Sequence, residues 1–145
     1  MTLSDLYSAR ILELAGNAPS APRLTSPDGS ARRRARLCGS TIEVDVTVSD
    51  GVITGYGHSV KACALGQTSA AIVARVALGT EAAEIRRVRA AMTAMLKADG
   101  PPPEGERWQD LRYLEPVRDY PARHESTLLV FDALCDALDA AEGTP

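Results

Sequence analysis

Cysteine is scarce in this sequence: three in 145 residues, odd in number and widely spaced. That excludes a disulfide framework and points to a reduced, cytoplasmic setting. Basic charge is not in excess either. The formal net charge is −3, so nothing draws the chain at long range to nucleic acid or to an anionic membrane. No apolar run approaches the ~18 residues of a membrane span. The opening Met1-Thr-Leu-Ser-Asp-Leu6 lacks the basic-then-apolar layout of a signal peptide. There is no internal repeat, phosphate loop, dinucleotide fingerprint or paired-carboxylate signature. The serines beside histidines, Ser59 and Ser126, are sequence neighbours only and define no catalytic triad.

What is present suffices for one domain with a proper core, since 45% of the residues are hydrophobic. Leu3-Ser4-Asp5 reads as a helix start with Ser4 as N-cap, and Tyr7, Ile11 and Leu14 share one face. Asn17 through Ser30 is rich in Pro, Ser, Gly and Asp and reads as a loop. The arginines of Arg32-Arg-Arg-Ala-Arg36 read as an exposed edge strand guarded by charge, in preference to a phosphate site. Ile42, Val44, Val46 and Val48 alternate with polar residues as a half-buried strand; Asp50-Gly51 turns it back into a second strand over 52–60. From Cys63 a helical face of Leu65, Ser69, Ile72 and Val76 runs toward a stop at Gly79. Thr80 reads as the cap of the next helix, whose face is Ile85, Val88, Met92 and Met95 and which Gly100-Pro-Pro-Pro103 stops. A connector over 98–120 carries Trp108, Leu111, Leu114 and Val117 as anchors. Pro121 opens a last helix that faces Leu128, Phe131, Cys135 and Leu138 inward. Early strands and late helices make an α+β fold: a small antiparallel sheet of about three strands, packed on one face by helices.

Two cysteines fall at junctions between these elements, Cys38 in Arg36-Leu-Cys38-Gly39-Ser40 and Cys63 in Lys61-Ala-Cys63-Ala-Leu65. A thiol at a helix N-terminus meets free N–H groups and the positive end of the dipole, which makes Cys63 the expected most reactive thiol. Cys135, in an apolar helical series, reads as core. His58 reads as a hydrogen-bonded core or surface histidine rather than a ligand. His124 and Glu125 lie in a first helical turn, where an acid complements the dipole.

The segments Asp5-Leu6-Tyr7, Cys38-Gly39-Ser40, Gly51-Val52-Ile53, Ala62-Cys63-Ala64-Leu65-Gly66 and Pro121-Ala122-Arg123-His124-Glu125-Ser126 stand in the order and spacing of a known family. The chain resembles the NifU N-terminal, IscU and SufU iron–sulfur cluster assembly scaffolds, with a connector closer to the SufU-like branch. The resemblance covers residues 1–145 as a single domain, with 17–30 as loop and 98–120 as connector. It implies a non-enzymatic scaffold that holds an iron–sulfur cluster or zinc and works with a cysteine desulfurase or with iron–sulfur recipient proteins. Carried over by position, the first two cysteine ligands are Cys38 and Cys63. The family's aspartate is here Ser40, its third cysteine, the sulfur acceptor, is Ser126, and the histidine of one branch is Glu125. Cys135 lies nine residues past Ser126, about 13 Å along a helix, and does not replace the missing thiol. Cys38, Ser40, Cys63 and Ser126 are expected to converge at one end of the sheet. Two readings remain: a scaffold binding a labile cluster or zinc through Cys38 and Cys63, completed by Glu125, Ser40 or Ser126, or a metal-free interaction protein that keeps only the partner-docking surface.

Overall fold

Alternation of buried valine and isoleucine with polar residues builds the sheet that the rest of the chain covers. The computed structural model describes residues 8–143, and the expected Ser4 cap and the Tyr7 position lie outside them. Strands β1 (Gly29–Arg34), β2 (Thr41–Ser49) and β3 (Val52–Lys61) form one antiparallel sheet in the order β1-β2-β3. The β2–β3 turn places Asp50 and Gly51 at φ 53° and 77°, the mirror-image turn that matches strand twist. The register runs from Thr41 opposite Lys61 to Thr47 opposite Gly55, then slips at a bulge. β1 is an edge strand, as its arginines suggest, and Arg33 pairs with Asp136 of the last helix.

Helices α1 (Ala9–Gly16), α2 (Ala64–Val76), α3 (Ala82–Lys97) and α4 (His124–Ala141) complete the fold. α4 packs across β1 and β2, α2 lies against β3 and α4, α1 rests on α2, and α3 packs on α4. One continuous core joins Ile42, Val44 and Val46 of the sheet to Leu65 and Ile72 of α2 and to Phe131, Leu134 and Cys135 of α4.

Some boundaries differ from the sequence reading, for local reasons. β1 begins at Gly29, two residues inside the expected loop. α2 ends at Val76, short of Gly79. Glu81, not Thr80, is the N-cap of α3; the Thr80 hydroxyl instead donates to Val76 O at 2.5 Å and accepts from Arg107. The connector is largely 3-10 helix over Glu106–Asp119. Trp108, Leu111, Leu114 and Val117 recur at every third residue, the period of that helix, and all four are buried. Pro121 starts a single 3-10 turn, and α4 follows from His124.

The outer face of the sheet is covered as well. Residues before β1 cross it, with Ala21 O accepting from the His58 N–H at 2.8 Å. Beneath this arm Asp45 is 1% exposed, held by two bonds from Arg23, by the Ser30 hydroxyl and by the Leu24 N–H.

Candidate functional site: a two-thiol, two-hydroxyl cleft

The β1–β2 loop, the end of β3 and the first turns of α2 and α4 meet at one end of the sheet. Ala35 closes the loop from both sides: its N–H donates to Ser40 O at 2.8 Å and its carbonyl accepts from Gly39 N–H at 2.9 Å. Gly39, at φ 72°, makes the turn. Leu37 and Cys38 project from it, Leu37 with 74% of its surface exposed. Cys63 is the N-cap of α2 and is half-buried. Gly66, one turn on, lets α2 meet α4, because a Cβ there would lie 3.1 Å from Ser126 O and 2.9 Å from the Ala62 Cβ.

The four expected residues do converge. Cys38 Sγ lies 3.0 Å from Ser40 Oγ, and Cys63 Sγ lies 3.7 Å from Ser126 Oγ. The Ser126 hydroxyl also reaches Cys38 and, at 3.3 Å, Arg123 O, so one proton serves three acceptors. Ser40 and Ser126 are buried. Partial burial works against charge on Cys38, but hydrogen bonds from the Ser40 hydroxyl, the Ser40 backbone and the Ser126 hydroxyl outweigh it and lower its pKa. Cys135 is in the core, as expected, where burial pushes its thiol up to about 11.

The other candidate ligands are engaged by other partners. Glu125 accepts from the Arg36 backbone N–H at 2.6 Å, and its other oxygen lies 3.7 Å from Arg36 Nε, so it braces the Cys38 loop. His124 is buried with Nε2 at 3.0 Å from Val117 O and 3.2 Å from Arg118 O. Carbonyls only accept, so that nitrogen carries the proton and cannot bind a metal. His58 lies on β3 against Tyr56 OH at 2.8 Å, kept toward its neutral form by burial.

A tetrahedral zinc site or an iron–sulfur cluster takes four strong donors. Here two thiols face two neutral hydroxyls, and among the described residues no three His, Cys, Asp or Glu side chains are grouped to hold a metal ion. The donor set present does not fit either group as a resident cofactor.

Around the cleft the surface carries several basic residues and an apolar one, Leu37, which the sequence reading did not single out. Among the described residues no carboxylate lies within ion-pair distance of Arg32, Arg34, Lys61 or Arg123. Leu37, Cys38, Asp119, Tyr120, Pro121, Ala122 and Arg123 line a shallow groove at its mouth, so one acid sits among them. The signal was Leu37 itself, an apolar residue in a loop among arginines.

The chain is 50% identical to a nitrogen-fixing NifU-like protein (N-terminal) from Brucella abortus, over 99% of both chains, with a TM-score of 0.94. It belongs to the NifU-like N-terminal family. The fold is shared at 16% identity with a putative SUF-system iron–sulfur cluster assembly scaffold protein from Fervidobacterium islandicum AW-1 (TM-score 0.83, 94% of this chain and 99% of that one). It is shared at 17% identity with a hypothetical protein of known crystal structure (TM-score 0.77, 94% and 99%). No family model and no curated protein matches the sequence. Among the described residues no helix is long and apolar enough to cross a membrane.

Proposed function

We propose that this NifU-like protein acts by docking partner proteins at the Cys38–Cys63 end of the sheet, without a resident metal or cluster. The observation that carries this reading is the pairing of each site thiol with a serine hydroxyl, Cys38 with Ser40 and Cys63 with Ser126. Thiolate and carboxylate bind zinc and iron through charge that a neutral hydroxyl lacks. Glu125 is turned to Arg36, and among the described residues no three His, Cys, Asp or Glu side chains group to make up the shortfall. The partners that family membership suggests are a cysteine desulfurase or an iron–sulfur recipient protein, met in the cytoplasm. Exposed Leu37 supplies the contact surface together with Arg34, Lys61 and Arg123, which have no ion pair among the described residues. A second reading rests on the two thiols sharing one hydroxyl: Cys38 and Cys63, with Ser40, Ser126 or Glu125, would hold a labile cluster or zinc loosely as cargo.

Titration calorimetry with the cysteine desulfurase of the same organism tests the docking reading. Leu37→Asp combined with Arg123→Glu is expected to weaken binding by about tenfold or more, or ~1.4 kcal/mol. Cys38→Ser combined with Cys63→Ser is expected to leave it within about threefold. Binding that depends on the thiols and ignores Leu37 and Arg123 contradicts the docking reading.

A further inference from the structure

The two cysteines of the cleft differ in access and share a neighbour. Cys38 stands exposed on a six-residue loop that bends back at Gly39, and Cys63 lies half-buried at the start of α2. Both sulfurs lie around the hydroxyl of Ser126. The strand register points the same way. β2–β3 pairing ends with Thr41 opposite Lys61, so Cys38 and Cys63 each lie within three residues of the last pair, at the same end of the sheet. A disulfide needs their Cα atoms within about 7 Å. Cys38 sits on a loop held by two backbone bonds and by Glu125, and it is this loop that must close toward the start of α2 to bring the sulfurs together. Cys135 is sealed in the core on the buried face of α4 and takes no part.

We propose that Cys38 and Cys63 form a modification site for low-molecular-weight disulfides such as oxidised glutathione, with Cys38 attacking and Cys63 resolving. The sulfur of Cys38 attacks one sulfur of the disulfide, forming a mixed disulfide and releasing one thiol, which takes up the proton that Cys38 gave up. The sulfur of Cys63 then attacks Cys38, breaking the mixed disulfide and releasing the second thiol with the Cys63 proton. Both protein sulfurs are oxidised and the small disulfide is reduced to two thiols. The product ties the Leu37-bearing loop to the start of α2, and excess small thiol reverses it.

The test is to incubate the reduced full-length protein with oxidised glutathione, trap free thiols with an alkylating agent and map the peptides without reduction. The expected product is a peptide pair linked through Cys38 and Cys63, with Cys135 alkylated only on denaturation. Cys63→Ser should accumulate glutathione on Cys38, and Cys38→Ser should take up little at either position. Circular dichroism and melting of both variants establish that these products come from folded protein. Wild-type protein that stops at the Cys38–glutathione adduct overturns the proposal. So does cross-linking between chains or through Cys135.

Discussion

Two polar clusters flank the same strand and are built on opposite terms. On the outer face of β2, Asp45 is an almost fully enclosed charge whose every neighbour answers it: Arg23 with two bonds, the Ser30 hydroxyl and the Leu24 N–H. Past the strand's start, Cys38, Ser40, Cys63 and Ser126 are neutral groups with shared protons and one sulfur open to solvent. A buried charge must be fully paired or it destabilises the fold. A cluster of neutral hydroxyls and thiols carries no such demand. The first cluster fastens the arm to the sheet; the second is free to change its contacts, as a docking or thiol-exchange site requires.

Removing one polar side chain from each cluster should separate them most. Asp45→Ala is expected to cost about 3 kcal/mol in a urea melt, because it strands the donors of three residues, and less than a fully buried pair would, because Arg23 still reaches water. Ser126→Ala should cost under about 1 kcal/mol, since the Thr127 hydroxyl also serves Arg123 O, at 2.8 Å. The Asp45 contribution also has a pH signature. Hydrogen bonding from Arg23 foremost lowers its carboxyl from 3.8 to about 2. As pH falls through that window the unfolded chain takes up a proton that the folded chain refuses, so stability is lost by about 2 kcal/mol between pH 4 and pH 2. The loss should be absent from Asp45→Asn; a loss of equal size in that variant would place its origin elsewhere.

The second way to sharpen the contrast is to give the open cluster the charge it lacks. Ser40→Asp with Ser126→Cys should raise zinc affinity by well over tenfold, at ~1.4 kcal/mol per factor of ten. Competition with a chromophoric chelator reads this directly. Unchanged affinity would mean that the cleft has lost the geometry of a metal site as well as its donors.

The third concerns rates. Timed alkylation of the folded protein, followed by peptide mass, should modify Cys38 first, Cys63 next and Cys135 last. This order departs from the one expected from sequence, which put Cys63 first on the strength of its helix N-terminus. The helix dipole at Cys63 is offset by its half-burial, whereas Cys38 is exposed and has hydroxyls that stabilise its thiolate. Labelling of Cys63 ahead of Cys38 would restore the helix-end account.

Much of this layout could be read from the chain because its signals are local. Alternation marked β2, Asp50-Gly51 marked the hairpin, and the spacing of Cys38, Ser40, Cys63 and Ser126 marked the cleft through the family resemblance. The period-three run of Trp108, Leu111, Leu114 and Val117 was equally local, but it falls in a stretch with Pro116 and helices of that kind are usually short. What could not be read depends on distant parts of the chain meeting. Asp45 looked like a solvent-facing residue of a one-sided sheet, and only the arm's return over β2 buries it. Glu125 looked like a dipole-complementing acid and a spare ligand, and only the approach of the Arg36 amide shows how it is engaged. Thr80 looked like a cap until Arg107, 27 residues away, claimed its hydroxyl.

A cleft without a resident metal or cluster has a direct readout in the elemental analysis of anaerobically purified protein. Iron, acid-labile sulfide and zinc should each be present at well under one per chain, and unchanged in Cys38→Ser and Cys63→Ser. One equivalent of zinc, or matched iron and sulfide, that is lost in both variants would contradict it.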